Sequence, residues 1–296
     1  MNDLYIILTA SLVSASCALL GCFLVLRRMA MVGDAISHAV LPGIVLAFLL
    51  SGSRDSLTML AGAAVVGLFT TFLIEFFHRK ARLQTDAAIG VTFTWLFAIG
   101  VILISVFAGK VDLDQDCVLY GEIAYVPLDL VDLFNGSVTA PRSLLVSAAV
   151  LVAVVLFIVA GYRQLFLTTF DPAFAGVLGV ATATWHYLIM GAVSVTTVAS
   201  FESVGAILVV ALLVVPATTA YLLTDRFSTM LIIATACGTL ASIAGYYLAA
   251  AIDGSIAGAI ATMCGVLFLA AFLFSPTHGV VVKKFRRDRS RLYSSE

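Results

Sequence analysis

The 296-residue chain is 62% hydrophobic and only 11% charged, with a mean hydropathy of +1.12 and a formal net charge of −1. Soluble domains are about 45–50% apolar and about 25% charged, so a water-soluble globular fold is excluded, as are disordered and disulfide-scaffold classes. A near-zero net charge also argues against a nucleic-acid binder, which normally carries a basic excess.

A bilayer core of about 30 Å needs about 20 apolar residues in helical form. Runs of that kind fall at 4–26, 30–50, 57–78, 86–108, 143–161, 180–199, 203–223, 229–250 and 256–275. No strand-period alternation accompanies them, so a barrel is disfavoured. The expected fold class is an all-α polytopic membrane protein, a bundle of about nine transmembrane helices with a short cytoplasmic helix. Residues 1–282 form the membrane domain and 283–296 a short basic tail.

The first run lacks a basic leader, carrying only Asp3, and ends in Arg27-Arg28 instead of a small-residue cleavage site. It is therefore a span and not a signal peptide. With nine spans and the C-terminus inside, 13 of the 16 basic residues lie inside and only Arg54, Lys110 and Arg142 outside. Lysine and arginine concentrate on cytoplasmic segments, which puts the N-terminus outside.

The second run carries the strongest chemical signal. It reads Met29-Ala-Met-Val-Gly-Asp34-Ala-Ile-Ser37-His38-Ala-Val-Leu-Pro42-Gly43. Asp34 and His38 are four apart and share one helix face. A carboxylate and an imidazole on one face make half of a divalent-cation site. An Asp–His pair that merely joins helices is the alternative. Pro42 has no N–H to donate to the His38 carbonyl, so the helix is expected to break beside these ligands. Ser37 is placed to orient His38. Glu75, His78 and Asp86 stand at inner span ends beside Arg79, Lys80 and Arg82, where local ion pairing accounts for them.

The one long loop, 109–142, lies outside and carries Asp112, Asp114, Asp116, Glu122, Asp129 and Asp132. It reads as a solvated acidic loop, or as a docking surface or cation-attracting vestibule. Of the five cysteines, Cys17, Cys22, Cys237 and Cys264 lie in apolar runs and Cys117 in this loop. None forms a CxxC pair, and buried small hydrophobes are the expected role.

After the fifth span the chain reads Tyr162-Arg-Gln-Leu-Phe-Leu-Thr-Thr-Phe170-Asp171-Pro172-Ala-Phe174-Ala-Gly176-Val-Leu178-Gly179. Asp171 suits an N-cap, Pro172 the first helical position and Gly179 a left-handed C-cap. That describes a cytoplasmic helix of about two turns with Phe174 and Leu178 on one face. It either anchors in headgroups or fits a groove on a cytosolic partner. His186, in the sixth run, reads as a satisfied core histidine. Glu202, between the sixth and seventh runs, reads as a solvated end, with a pathway role as the alternative.

Three stretches together resemble the membrane permeases of bacterial metal-uptake ABC transporters of the manganese, zinc and iron class. They are LRRMAMVGDAISHAVLPGIVLAF at 26–48, FDPAFAGVLG at 170–179 and VGAILVVALLVVPATTA at 204–220. The resemblance implies that Asp34 and His38 are the intramembrane metal ligands. It implies that Phe170, Asp171, Pro172, Phe174, Leu178 and Gly179 belong to a coupling helix seated in an ATPase. Its implied partners are a cytosolic ABC ATPase, a second permease copy or homologue, and an extracytoplasmic metal-binding protein. No cofactor is held permanently; the cargo is Mn²⁺ or Zn²⁺, with manganese slightly preferred and iron also within the class. ATP belongs to the partner, and no GxxxxGK[ST] occurs in this chain. The implied location is the bacterial cytoplasmic membrane.

Beside the ATP-driven importer stands a proton-coupled secondary carrier, which normally shows internal repeats and several buried carboxylates. Only Asp34 is a clear buried carboxylate by sequence. A non-transporting scaffold is a third reading. An intramembrane metalloprotease lacks its HExxH.

Overall fold

The computed structural model of the chain describes residues 2–51, 56–107, 123–128, 130–133, 138–275 and 279. Among them are eleven helices: α1 Asn2–Leu26, α2 Val32–Ala39, α3 Leu41–Ser51, α4 Ser56–Lys80, α5 Thr85–Phe107, α6 Arg142–Phe170, α7 Pro172–Val177, α8 Thr182–Val204, α9 Ala206–Leu223, α10 Phe227–Ile252 and α11 Ile256–Phe274. Apolar sequence takes this form because a helix satisfies every backbone N–H and C=O within its own segment, where the bilayer offers no water.

Eight helical stretches among the described residues are long and apolar enough to cross a membrane. They correspond to every predicted run except 180–199. That run is α8, whose 23 residues amount to about 34 Å of helix. Its contacts show that it spans the bundle as well. His186 near its start meets Arg27 at the end of α1, and Ser200 near its end lies beside Cys17, ten residues back along α1. Buried Ser194, Thr196, Thr197 and Ser200 make α8 the more polar span, and it is packed inside protein.

α1 is the axis of one half of the bundle. Cys17, Ala18, Leu20, Cys22, Phe23 and Leu24 are wholly buried, and α6, α8, α9 and α10 pack around them. Helices α2 to α5 form the other half, joined to the first through α4 against α8 and α2 against α8 and α9. α3 and α4 cross at Gly43 and Gly62, where a Cβ on Gly62 would stand 2.6 Å from the Gly43 carbonyl oxygen. Small residues at such crossings let backbones approach closely. Gly205, at φ 79° and ψ 161°, turns the chain from α8 into α9 in a single residue, a conformation reserved for glycine.

One expected break is present and one predicted boundary needs correction. The run 30–50 divides beside Asp34 and His38, as Pro42 predicts, into two helices that meet at Val40. Hydrogen bonding resumes when Gly43 N and Ile44 N both donate to the Val40 carbonyl. The break falls two residues before Pro42, because proline removes the bond to the carbonyl four residues back. The stretch 162–170, read as loop, is the last part of α6. Polar residues such as Arg163 and Gln164 mark where the bilayer ends, and the helix continues past it.

Part of the segment 109–142 folds back onto the bundle. A 3₁₀ turn at Ile123–Leu128 buries Ile123 and Val126 in the common core. It leads into an unpredicted antiparallel hairpin, Leu130–Leu133 with Val138–Pro141, in the register Leu130↔Pro141 and Leu133↔Val138. Asp112, Asp114, Asp116, Cys117, Glu122 and Asp129 lie outside the described residues, as does the tail 283–296.

Overpacking a close crossing costs about 1–3 kcal/mol. Gly62→Val is therefore expected to lower the melting temperature of the detergent-solubilised protein by several degrees. Gly265→Ala, with nothing within 4 Å of its new Cβ, is expected to leave it unchanged.

Candidate metal centre and cytoplasmic helix

α2 begins well inside the bundle. Gly33 packs on the Leu213 side chain of α9, and the backbone of that same residue crosses α1 at Gly21. Gly21 lies six residues before Arg27, about 9 Å along the helix, and Asp34 is the third residue of the stretch Val32–Ser51 that is long and apolar enough to cross a membrane. Ala35, Ile36 and Ala39 are buried on the inward side of α2. Asp34 and His38 share the other side, with side chains 33% and 36% exposed, so this face is open to a further ligand or a second chain.

The His38 Nε2 to Asp34 Oδ1 distance is 3.6 Å, too long for a hydrogen bond. The two form an ion-pair contact looser than a hydrogen bond, which leaves donor atoms on both for a shared ion. The imidazole is held laterally by Phe93 and Phe97 of α5, with ring centroids 5.8 Å and 5.9 Å away. Ser37 does not orient it, contrary to expectation. Its hydroxyl donates to the Gly33 carbonyl at 2.9 Å, the usual fate of serine inside a helix. No third His, Cys, Asp or Glu converges on the pair among the described residues. One chain therefore supplies one oxygen and one nitrogen donor, short of the four to six that divalent metals take.

The short helix α7 forms as its sequence dictates. The Asp171 carboxylate accepts from Phe174 N at 2.9 Å and Pro172 occupies the first turn. At the other end Gly179 adopts φ 79°. Val180 N donates to the Ala175 carbonyl and Gly179 N to that of Gly176, the paired bonds of a Schellman stop. Ala175 is buried, whereas Phe174, Val177 and Leu178 are exposed. Phe174 and Leu178 line a groove of about 440 Å³ with Tyr162, Arg163, Phe166 and Leu167 from α6. Phe170 closes α6, its ring 4.7 Å from Phe166 and 5.8 Å from Phe227.

A polar cluster at the same end of the bundle was only partly visible in sequence. His186 is a satisfied histidine, as expected, with Nε2 2.9 Å from Glu75 Oε2. Glu75 also pairs with Arg79, one turn along α4. The unexpected member is Arg27, which reaches Thr168, Thr169 and His186. Burial lowers the Arg27 pKa to about 10, which leaves it charged at neutral pH. Each residue is a lone polar group near a span end, and spacing along one helix gives no hint of partners on another. Glu202 stands in the last turn of α8, and its side chain lies outside the described ones.

Comparison with known proteins places these features in a family. Residues 4–275 match the ABC 3 transport family. The manganese transport system membrane protein MntD of Bacillus subtilis is 51% identical over 284 residues, covering 96% of each chain. The zinc transport system membrane protein TroD of Treponema pallidum is 46% identical over 93% of this chain and 75% of its own length. Among solved structures, PsaBC from Streptococcus pneumoniae in complex with Fab superposes with a TM-score of 0.75 at 31% identity, covering 93% of this chain and 92% of that one.

Removing an N-cap costs about 1 kcal/mol, roughly a fivefold change in a local equilibrium. Asp171→Ala is therefore expected to speed hydrogen exchange at the Phe174 amide about fivefold, with α10 amides unaffected.

Proposed function

We propose a cargo, a driving force and a division of labour for this chain, which belongs to the ABC 3 transport family and is a multi-pass membrane permease of an ABC system. Its cargo is a divalent transition-metal ion, Mn²⁺ first, Zn²⁺ next and iron third. The observation that carries this reading is the loosely paired Asp34 and His38, held on an open face where the helix is broken.

The chemistry follows from the donors. A carboxylate oxygen favours manganese and an imidazole nitrogen permits zinc. The relatives MntD and TroD are named for those two metals. An importer needs a site weak enough to release its ion inward, which a few mixed donors provide and a closed thiolate cage does not. Two permease chains facing each other across the open side supply up to four ligands, two Asp34 and two His38. An extracytoplasmic binding protein hands the ion to the outer surface.

Energy comes from ATP hydrolysed on a cytosolic ABC ATPase, and this chain catalyses no reaction. α7 is the coupling helix. Phe174 and Leu178 seat in the ATPase, while Asp171, Pro172 and Gly179 fix the ends of the helix, and Phe170 braces it against α10. Residues 1–282 constitute the permease domain, and the basic tail 283–296 remains cytoplasmic.

Uptake by proteoliposomes holding this chain, its ATPase and the binding protein tests the proposal. ATP-dependent accumulation of Mn²⁺ above Zn²⁺ is expected, and Asp34→Asn is expected to reduce it at least about tenfold, as loss of one ligand pair from the ring implies. Phe174→Ala is expected to keep the chain in the membrane while uncoupling hydrolysis from uptake. Uptake driven by a proton gradient without ATP would place the chain among secondary carriers instead.

A further inference from the structure

We propose that Arg27, Glu75 and His186 are positioning residues for transport: they form a buried polar tie that makes both ends of the coupling helix move with α1 and α4. The inference rests on the coupling role assigned to α7 above and extends it to residues that neither bind metal nor face the ATPase.

α7 hangs between the end of α6 and the start of α8, and the tie grips both. Arg27 Nε donates to Thr169 Oγ1 at 3.1 Å, and a terminal nitrogen donates to Thr168 Oγ1 at 3.0 Å. Both hydroxyls spend their own protons on the Leu165 carbonyl, at 3.3 Å and 2.6 Å for Thr168 and Thr169. Their lone pairs are thereby left facing the guanidinium. These are the last threonines before Phe170, so Arg27 holds the point where α6 gives way to α7.

On the other side of α7, the second terminal nitrogen of Arg27 meets His186 Nδ1 at 3.4 Å. Arginine can only donate, so Nδ1 is assigned as acceptor and Nε2 as the protonated nitrogen. Nε2 lies 2.9 Å from the Glu75 carboxylate. The chain of donors thus runs from guanidinium to neutral imidazole to carboxylate, and Arg79 closes it at the surface. Four helices, α1, α4, α6 and α8, meet in this one network.

The tie has a mechanical destination. α4 carries Glu75 at its inner end and crosses α3 at Gly62 and Gly43, just beyond the break that follows His38. A displacement of α7 is therefore delivered to the helix against which the metal-bearing span is packed. Glu75 is almost wholly buried, at 4% exposure. Ionisable groups in such places are costly to insert and are retained for a purpose. A second metal site is the competing use of a Glu–His pair, but guanidinium groups flank it on both sides and repel a cation.

The double variant Thr168→Val/Thr169→Val tests the tie. It removes both acceptors of Arg27 while preserving shape, and it leaves Asp34, His38 and α7 intact. In proteoliposomes with the ATPase and binding protein, we expect wild-type assembly, near-wild-type hydrolysis and a melting temperature lowered by only a few degrees, since the buried guanidinium loses two acceptors. Mn²⁺ transported per ATP should fall roughly fivefold or more, the scale of an ordinary coupling between sites. Glu75→Gln should act in the same direction. An unchanged ratio overturns the proposal, and so does a parallel loss of assembly, hydrolysis and uptake, which marks a merely structural cluster. Spin labels at Val177 and Lys80, with the five native cysteines replaced, give a check without these variants: their separation should stay constant when ATP binds, and a change overturns the tie. If the wild-type protein shows no ATP-driven uptake at all, the parent reading of function fails, and the tie falls with it.

Discussion

Everything in this chain is subordinate to one constraint: inside hydrocarbon, each peptide group must find its partner within the protein. Helices meet that demand segment by segment, which is why eleven of them account for nearly all the described residues. The place where the demand is relaxed is informative. At Pro42 the helix cannot continue its hydrogen bonding to His38, and the chain divides into α2 and α3 beside the Asp34–His38 pair. Free backbone at membrane depth is tolerated where protein or a polar cavity surrounds it. The break and the two donors therefore fall side by side in the chain.

Two features stand apart in the fold. The Asp34–His38 pair lies on an open face of the apolar stretch Val32–Ser51, and α7 follows the end of α6 with Phe174, Val177 and Leu178 exposed. Apolar side chains just beyond the spans suit either the headgroup layer or a protein surface. Between the two regions stands α4, in contact with α3 on one side and α8 on the other. Packed cores transmit displacement because they are close to incompressible.

The sequence made the spans legible because apolar runs of the right length are scarce in any other setting. It also singled out Asp34 and His38 as candidates, since ionisable groups inside such runs are rare. The caps of α7 were readable for a different reason: Asp171, Pro172 and Gly179 act on their immediate neighbours, so local spacing sufficed. What escaped was whatever depends on pairing between distant segments. Ser37 turned back to Gly33 instead of His38. Arg27 looked like a topology marker, yet it reaches across 141 residues of sequence to Thr168. The fold-back of Ile123 and Val126 into the core also required partners that no local pattern names.

The length of α6 carries one further consequence. Its 29 residues make a continuous rod of about 43 Å, longer than the bilayer core is thick. A rod pivoting near its outer end converts a small angle into a large stroke at its tip: about ten degrees of tilt moves Phe170 by roughly 7 Å. In kinematic terms α6 is an outrigger as well as a span. The leverage works in reverse too, so a broad sweep below the membrane becomes a fine, forceful adjustment deep within it.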